Sequence, residues 1–323
     1  MLYDNLTLII VQQEQELKAE NADAGAAPDA APPERQGTTL TFELTREVIH
    51  VSAVTYKLLD GDVGYLRIKQ FQERTHAELM TATAKMRSES KNGRLAGILL
   101  DLRSNPGGLV DEATEIADEF LATGGIYSMR HRGEIIEDLK ARSGGAFLDL
   151  PSVCLVNEWS ASASELLVGA LQDNKRTTVV GANTFGKGSV QSILPLPNGA
   201  GLKLTTARYY TPSGHAIQAD GIHPDVVIEP GTRAPNEPVH IVRERDLPGH
   251  LAAEGPQKLG QSGNVPSRAP VVDAGLVTSP EDEVIGSRAR DIPFDPSQSK
   301  DVVLRVGYQT LRTAMSQRTT LIK

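Results

Sequence analysis

"LAGILLDLRSNPGGLVDEATEIADEFLATGG", residues 95–125, decides the fold. Its first part, "LAGILLDLR", is a nearly continuous apolar run, the pattern of a strand buried on both faces. Asn105-Pro106-Gly107-Gly108 then breaks the chain. After it, Ala113, Ile116, Ala117, Phe120 and Leu121 recur at helical spacing and form one apolar stripe. Gly124 and Gly125 stop that helix. A doubly buried strand feeding a helix is the repeating unit of an α/β layered core.

The same alternation extends outward in both directions. "VGYLRIKQF" (63–71) reads as a strand, and "THAELMTATAKMRSESKNG" (75–93) as a helix stopped by Gly93. "PSVCLVN" (151–157) is a buried strand and "SASASELLVGALQD" (160–173) a helix. "TTVVG" (177–181), "SVQSILPL" (189–196) and "GLKLTTARYYT" (201–211) read as strands. The flanks differ. "NLTLIIVQQ" (5–13) and "TTLTFELTREVIHV" (38–51) are strand-like, but the Ala/Pro/acidic stretch 18–37 between them has too little apolar surface to offset the entropy of ordering. Residues 231–298 are rich in Pro, Gly and charge and show no sustained period, so they read as a mostly irregular tail. "DVVLRVGYQTLRTAM" (301–315) offers a last helix.

Composition narrows the function. The chain has 323 residues, 39% hydrophobic and 23% charged, with a formal net charge of −8. That balance, with no basic stripe interleaved with aromatics, argues against a nucleic-acid partner. A single cysteine, Cys154, excludes an internal disulfide and a cysteine-rich zinc site. No apolar run approaches the roughly 18–20 residues that a membrane-spanning helix needs. The opening "MLYDNLTLIIVQQ" has no basic leader and carries Asp4, so no signal peptide is visible.

"GANTFGKGSVQ" (181–191) has most of a phosphate-binding loop: Gly181, Gly186 and Lys187 at the right spacing. The metal-binding hydroxyl is replaced by Gly188. The following "SVQSILPL" is strand-like, so no helix offers its amides to a phosphate. Nucleotide binding is therefore not expected. Lys187 between glycines can instead serve as a base for a nucleophile. Ser160, Ser162 and Ser164 sit at a strand-to-helix junction, where a serine either caps the helix or attacks a carbonyl beside a free backbone N–H. The seven histidines lie in no triad context. "SESK" (88–91) and "SQSK" (297–300) fit a Ser-x-x-Lys pattern but lack its companion motifs. The Asn-Pro-Gly-Gly turn is either a plain turn or a source of oxyanion-binding N–H groups.

Together, "LDLRSNPGG" (100–108), "SASASELLVGALQD" (160–173), "TFGKGSVQ" (184–191), "LTTARYYTPSG" (204–214) and "ADGIHPDVVIEP" (219–230) resemble the carboxyl-terminal processing proteases, also called tail-specific proteases, the serine–lysine peptidase family S41. The resemblance covers about residues 40–230, in order. It implies an α/β fold with layered β-β-α (ClpP/crotonase-like) protease core, a truncated PDZ remnant in front and an irregular C-terminal tail. The implied organisation is residual PDZ strands in 1–55 with the insertion 18–37, a core at 56–230, a linker or tail at 231–298 and a helix at 299–323.

The family's nucleophile falls on Ser162. Its base falls on Lys187, 25 residues on, and its lysine-orienting glutamine on Gln191. The oxyanion donors fall on the N–H of Ala163 and on Gly107 or Gly108. Glu165 and Asp173 match supporting polar positions. The implied activity is cleavage of polypeptide substrates near the C-terminus by acyl transfer, with no cofactor, metal or nucleotide. The implied setting is the periplasm, and homo-oligomerisation is compatible with it. The alternative is an inactive remnant that only binds peptides. Trp159 departs from the glycine many relatives carry, which implies altered packing or an altered substrate wall.

Overall fold

The computed structural model of the chain describes residues 5–12, 38–45, 51–197, 199–229, 242–252, 270–273 and 292–321. The chain divides into two units, Met1–Val51 and Ser52–Lys323. In the first, β1 (Asn5–Gln12) pairs antiparallel with β2 (Thr38–Thr45), Asn5 opposite Thr45 and Gln12 opposite Thr38. The insertion at 18–37 lies outside the described residues.

The second unit opens with β3 (Val54–Leu59), β4 (Val63–Ile68), α1 (Thr75–Glu89), β5 (Gly97–Asp101) and α2 (Val110–Phe120). β6 (Gly125–His131), β7 (Glu134–Lys140), β8 (Ser152–Val156), α3 (Ala163–Asp173) and β9 (Thr178–Gly181) follow. β10 (Ser189–Pro195), β11 (Gly201–Tyr210), β12 (Val226–Glu229), β13 (Val271–Asp273) and α4 (Val302–Leu321) complete it.

Seven strands form one sheet in the order β13-β12-β9-β8-β5-β4-β3. All neighbours are parallel except β3 and β4. Every residue of β5 and β8 is buried because helices cover both faces. Alternate side chains Ile98, Leu100, Cys154 and Val156 enter the core shared with α1, α2 and α3. Tyr65, Leu99, Val153 and Leu155 enter the opposite core, closed by Leu304, Tyr308 and Leu311 of α4. Burial pushes the Cys154 thiol well above its ordinary pKa, so it is a packing residue rather than a reactive one.

A second, antiparallel sheet has the order β10-β11-β6-β7. It carries two strands, β6 and β7, that the sequence pattern does not reveal. Among its described residues, the tail read as irregular contributes β13 at the sheet edge and two 3-10 turns, Glu244–Asp246 and Pro296–Gln298. The core also begins slightly earlier than read, because β3 starts at Val54.

One buried ionic group fixes the exit of β5. The Arg103 guanidinium donates to both carboxylate oxygens of Asp301, at 2.9 and 2.8 Å, and to Asp101 at 2.6–3.1 Å. Tyr65 donates its hydroxyl to the same Asp101 at 2.7 Å. Arg103 holds the Asp101 carboxyl below its usual range despite burial. Asp301 also accepts the Leu304 N–H at 3.0 Å, so one carboxylate starts α4 and anchors the chain leaving β5.

Candidate active site

The turn after β5 and the start of α3 are built as one object. Asn105 donates its amide to Ile68 C=O at 3.0 Å and accepts the Gly107 N–H at 2.9 Å. Its own C=O accepts the Ala161 N–H at 3.0 Å and the Ser164 hydroxyl at 3.0 Å. The Ser160 hydroxyl donates to Leu102 C=O at 2.8 Å. Two of the three serines are therefore buried structural ties. Ser162, between them, is half-buried and forms a capping box with Glu165, but its hydroxyl donates to no group among the described residues. Capping leaves its proton free.

Ser162 holds φ 56° and ψ −118°, a conformation that only glycine adopts without strain. Such strain costs of order 1–3 kcal/mol and persists where surrounding contacts over-determine the turn. Those contacts are visible. A Cβ on Gly107 would lie 2.8 Å from the Ser162 Cβ and 3.0 Å from the Ala163 nitrogen, so the two turns touch. Gly108, at φ +140°, has no room for a Cβ: Phe71 C=O would sit 1.9 Å away. Of the expected oxyanion donors, the Gly107 N–H is engaged by Asn105. The N–H groups of Gly108 and Ala163 have no acceptor among the described residues. Replacing Gly108 by alanine should push the turn away from Phe71 and cost at least about 1 kcal/mol of stability, read by urea unfolding.

Glu165 ties the serine turn to the lysine loop. It is fully buried, and its Oε2 accepts the N–H of Ser162 at 2.8 Å and of Lys187 at 2.9 Å. Its Oε1 accepts the Thr184 hydroxyl at 2.5 Å and the Gly186 N–H at 2.7 Å. Burial outweighs these donors and pushes its pKa up to about 7. Thr184 in turn accepts the Ile222 N–H at 2.7 Å. Asp173, at the far end of α3, accepts the Ser213 N–H at 2.8 Å.

The backbones of Ser162 and Lys187 thus share one carboxylate oxygen. No hydrogen bond joins their side chains among the described residues, and Lys187 is exposed. Gln191 is exposed as well, opposite Thr205 beside a register shift at Val190/Gln191, and no bond joins it to Lys187. After Gly188 the chain enters β10, not a helix, which removes the phosphate-loop geometry. Trp159 is 52% exposed, so it does not pack into the core. His215 donates its Nε2–H to Gly221 C=O, 2.8 Å away, and His223 faces Asp220 at the surface, so both are loop residues. No described helix is long and apolar enough to cross a membrane.

Residues 62–228 match the profile of peptidase family S41. A carboxy-terminal-processing protease of Bartonella bacilliformis is 47% identical over 191 residues, covering 59% of this chain and 44% of the relative. A carboxyl-terminal-processing protease of Synechocystis sp. is 42% identical over 193 residues, covering 58% and 44%. Among solved structures, the photosystem II D1 C-terminal processing protease aligns with a TM-score of 0.50 at 34% identity, covering 59% of this chain and 52% of that one. The chain spans less than half the length of these two relatives.

Proposed function

We infer the activity from one premise: the chain belongs to peptidase family S41. It is a serine-type endopeptidase that cleaves polypeptides near their C-termini, with Ser162 as nucleophile, Lys187 as base and Gln191 as the group that orients the lysine. The observation that carries this reading is the shared Glu165 oxygen, which brings the Ser162 and Lys187 backbones together from positions far apart in sequence. The N–H groups of Gly108 and Ala163 serve as oxyanion donors, with Gly107 holding the turn. Strands β1 and β2 are the remnant of a peptide-binding PDZ domain, and the two sheets with their helices correspond to the ClpP/crotonase-like layering. The family resemblance implies a periplasmic setting.

The chemistry is acyl transfer. The Lys187 amine takes the Ser162 proton as the hydroxyl oxygen bonds to the peptide carbonyl carbon. The resulting oxyanion is met by the two free N–H groups. The C–N bond breaks as Lys187 returns the proton to the leaving amine, and water then hydrolyses the acyl-enzyme by the same steps. A lysine amine acts as a base only where water is excluded. Because Lys187 is exposed in the free chain, the substrate itself must cover it.

The test is cleavage of an unstructured protein with an apolar C-terminus. The full chain should release C-terminal fragments, read by mass spectrometry, and Lys187→Ala should lower the rate at least about 1,000-fold, since it removes the group that takes the serine proton. Intact substrate with the folded unsubstituted chain would leave a peptide-binding remnant as the correct description.

A further inference from the structure

The lysine loop is held from a side that the family match does not reach. Residues 242–252 lie beyond the matched 62–228, in the segment that the sequence reads as irregular tail. They are nonetheless docked along the loop. The Glu244 N–H donates to Phe185 C=O at 3.2 Å, two residues before Lys187. On the other side of Lys187, Gly188 donates its N–H to the side-chain oxygen of Gln218 at 3.1 Å. Gln218 is fully buried and uses its amide nitrogen on the same segment, donating to Glu244 Oε1 at 3.1 Å and to Leu251 C=O at 3.2 Å. Arg208 of β11 donates to Ala252 C=O at 2.9 Å and fastens the far end. The contact is close packed: a Cβ on Gly188 would lie 2.5 Å from the Gln218 nitrogen.

We propose that Gln218 is a positioning residue for the Lys187 loop and that residues 242–252 are the strap that holds Gln218 in place. Glu165 fixes the loop from beneath, through Gly186 and Lys187. Gln218 and the strap fix it on both flanks of Lys187, through Phe185 and Gly188. A base must sit within a few tenths of an ångström of its working position, and small misplacements cost large factors in rate. A side chain with one oxygen on the loop and one amide on the strap transmits the strap's position to the lysine. The role rests on the reading of Lys187 as the base.

The experiment compares Gln218→Ala, Glu244→Ala, Gln218→Glu and the double variant Gln218→Glu/Glu244→Gln by amide hydrogen exchange and by peptide-cleavage kinetics. Glu244 lies on the strap's surface turn, so its variant keeps the test alive if Gln218→Ala fails to fold. The expected result is exchange at residues 184–188 at least about tenfold faster in both alanine variants, with β5 and α3 unchanged. With it, kcat should fall about tenfold while KM stays within about twofold, because placement of the base and not substrate affinity is lost. Gln218→Glu sets two carboxylates against each other and should behave like alanine. The double variant restores the amide–carboxylate pair with residue 244 but not the bond to Leu251 C=O, so it should recover both readouts at least about threefold relative to Gln218→Glu without reaching the unsubstituted values. Unchanged exchange at 184–188 in Glu244→Ala overturns the strap, as does faster exchange with unaltered kcat. If the unsubstituted chain cleaves nothing but its loop protection disappears in the alanine variants, the strap stands and the peptidase reading falls.

Discussion

Ser162→Ala should lower kcat about 100,000-fold and leave the fold intact. A serine that acts with a base as one unit loses nearly all of the rate when either member goes. The hydroxyl donates to no described residue, and the Glu165 N–H that faces it in the capping box also donates to the Ser162 C=O at 2.8 Å, so its removal leaves no buried donor stranded. Its neighbours behave oppositely. Ser160 holds the C=O of Leu102 and Ser164 that of Asn105, both on the chain leaving β5, so their loss would be felt as stability. A second comparison separates chemistry from strain. Ser162→Gly removes the same hydroxyl but accepts φ 56°, so it should be inactive yet about 1 kcal/mol more stable than Ser162→Ala. Urea unfolding of the two variants beside their kcat values tests both halves. Residual cleavage within about tenfold of the unsubstituted chain would remove Ser162 from the chemistry.

Removing the Glu165 carboxylate should have the largest effect on stability. Four donors converge on it in a fully buried site, those of Ser162, Thr184, Gly186 and Lys187. Each buried donor left without a partner costs about 1–3 kcal/mol. Glu165→Ala should therefore lose about 4 kcal/mol or more and at least about 100-fold in kcat. Glu165→Gln keeps one acceptor oxygen and should lose less of both. The pH dependence carries a definite sign. The folded carboxyl has its pKa pushed up from 4.5 to about 7, so between these values the folded chain holds a proton that the unfolded chain has released. Its stabilising contribution is complete below pH 4.5 and fades as pH rises to about 7. The difference amounts to about 3 kcal/mol at 1.36 kcal/mol per pKa unit. Melting temperatures across pH 5–8 should thus fall more steeply for the unsubstituted chain than for Glu165→Gln. Parallel curves would show that burial does not raise this carboxyl.

How much of this was legible in the sequence depends on whether the forces were local. β5, α2, β8 and α3 announce themselves because burial imposes a run or a 3.6-residue period. β7 does not: "EIIEDLK" is charged, and Ile135 and Ile136 remain more than half exposed. β12 and β13 are too short, at four and three residues, for any period to show. In the site, Ser162 and Lys187 stand out as residue types. The strained angle at Ser162 does not, because it is set by contact with Gly107 rather than by neighbours in sequence. Glu165 looks like half of a capping box, three residues after the serine, and its Oε2 does accept that serine's N–H. Its reach to Thr184, Gly186 and Lys187 is tertiary and leaves no spacing signal. The exposure of Lys187 and Gln191 is likewise a property of the fold.

The seven-stranded sheet has a consequence for where the protein can be cut. The stretch recognisable as the family ends at residue 228, yet among the described residues Tyr65, Leu99 and Leu155 on the back of that sheet are covered by α4 together with Ile292. Severed after that point, the polypeptide would show a wide greasy wall to water and strand Arg103 with half of its counter-charge. The segment matched to the family and the stretch needed to cover its sheet are therefore different lengths of chain, and the longer one includes α4.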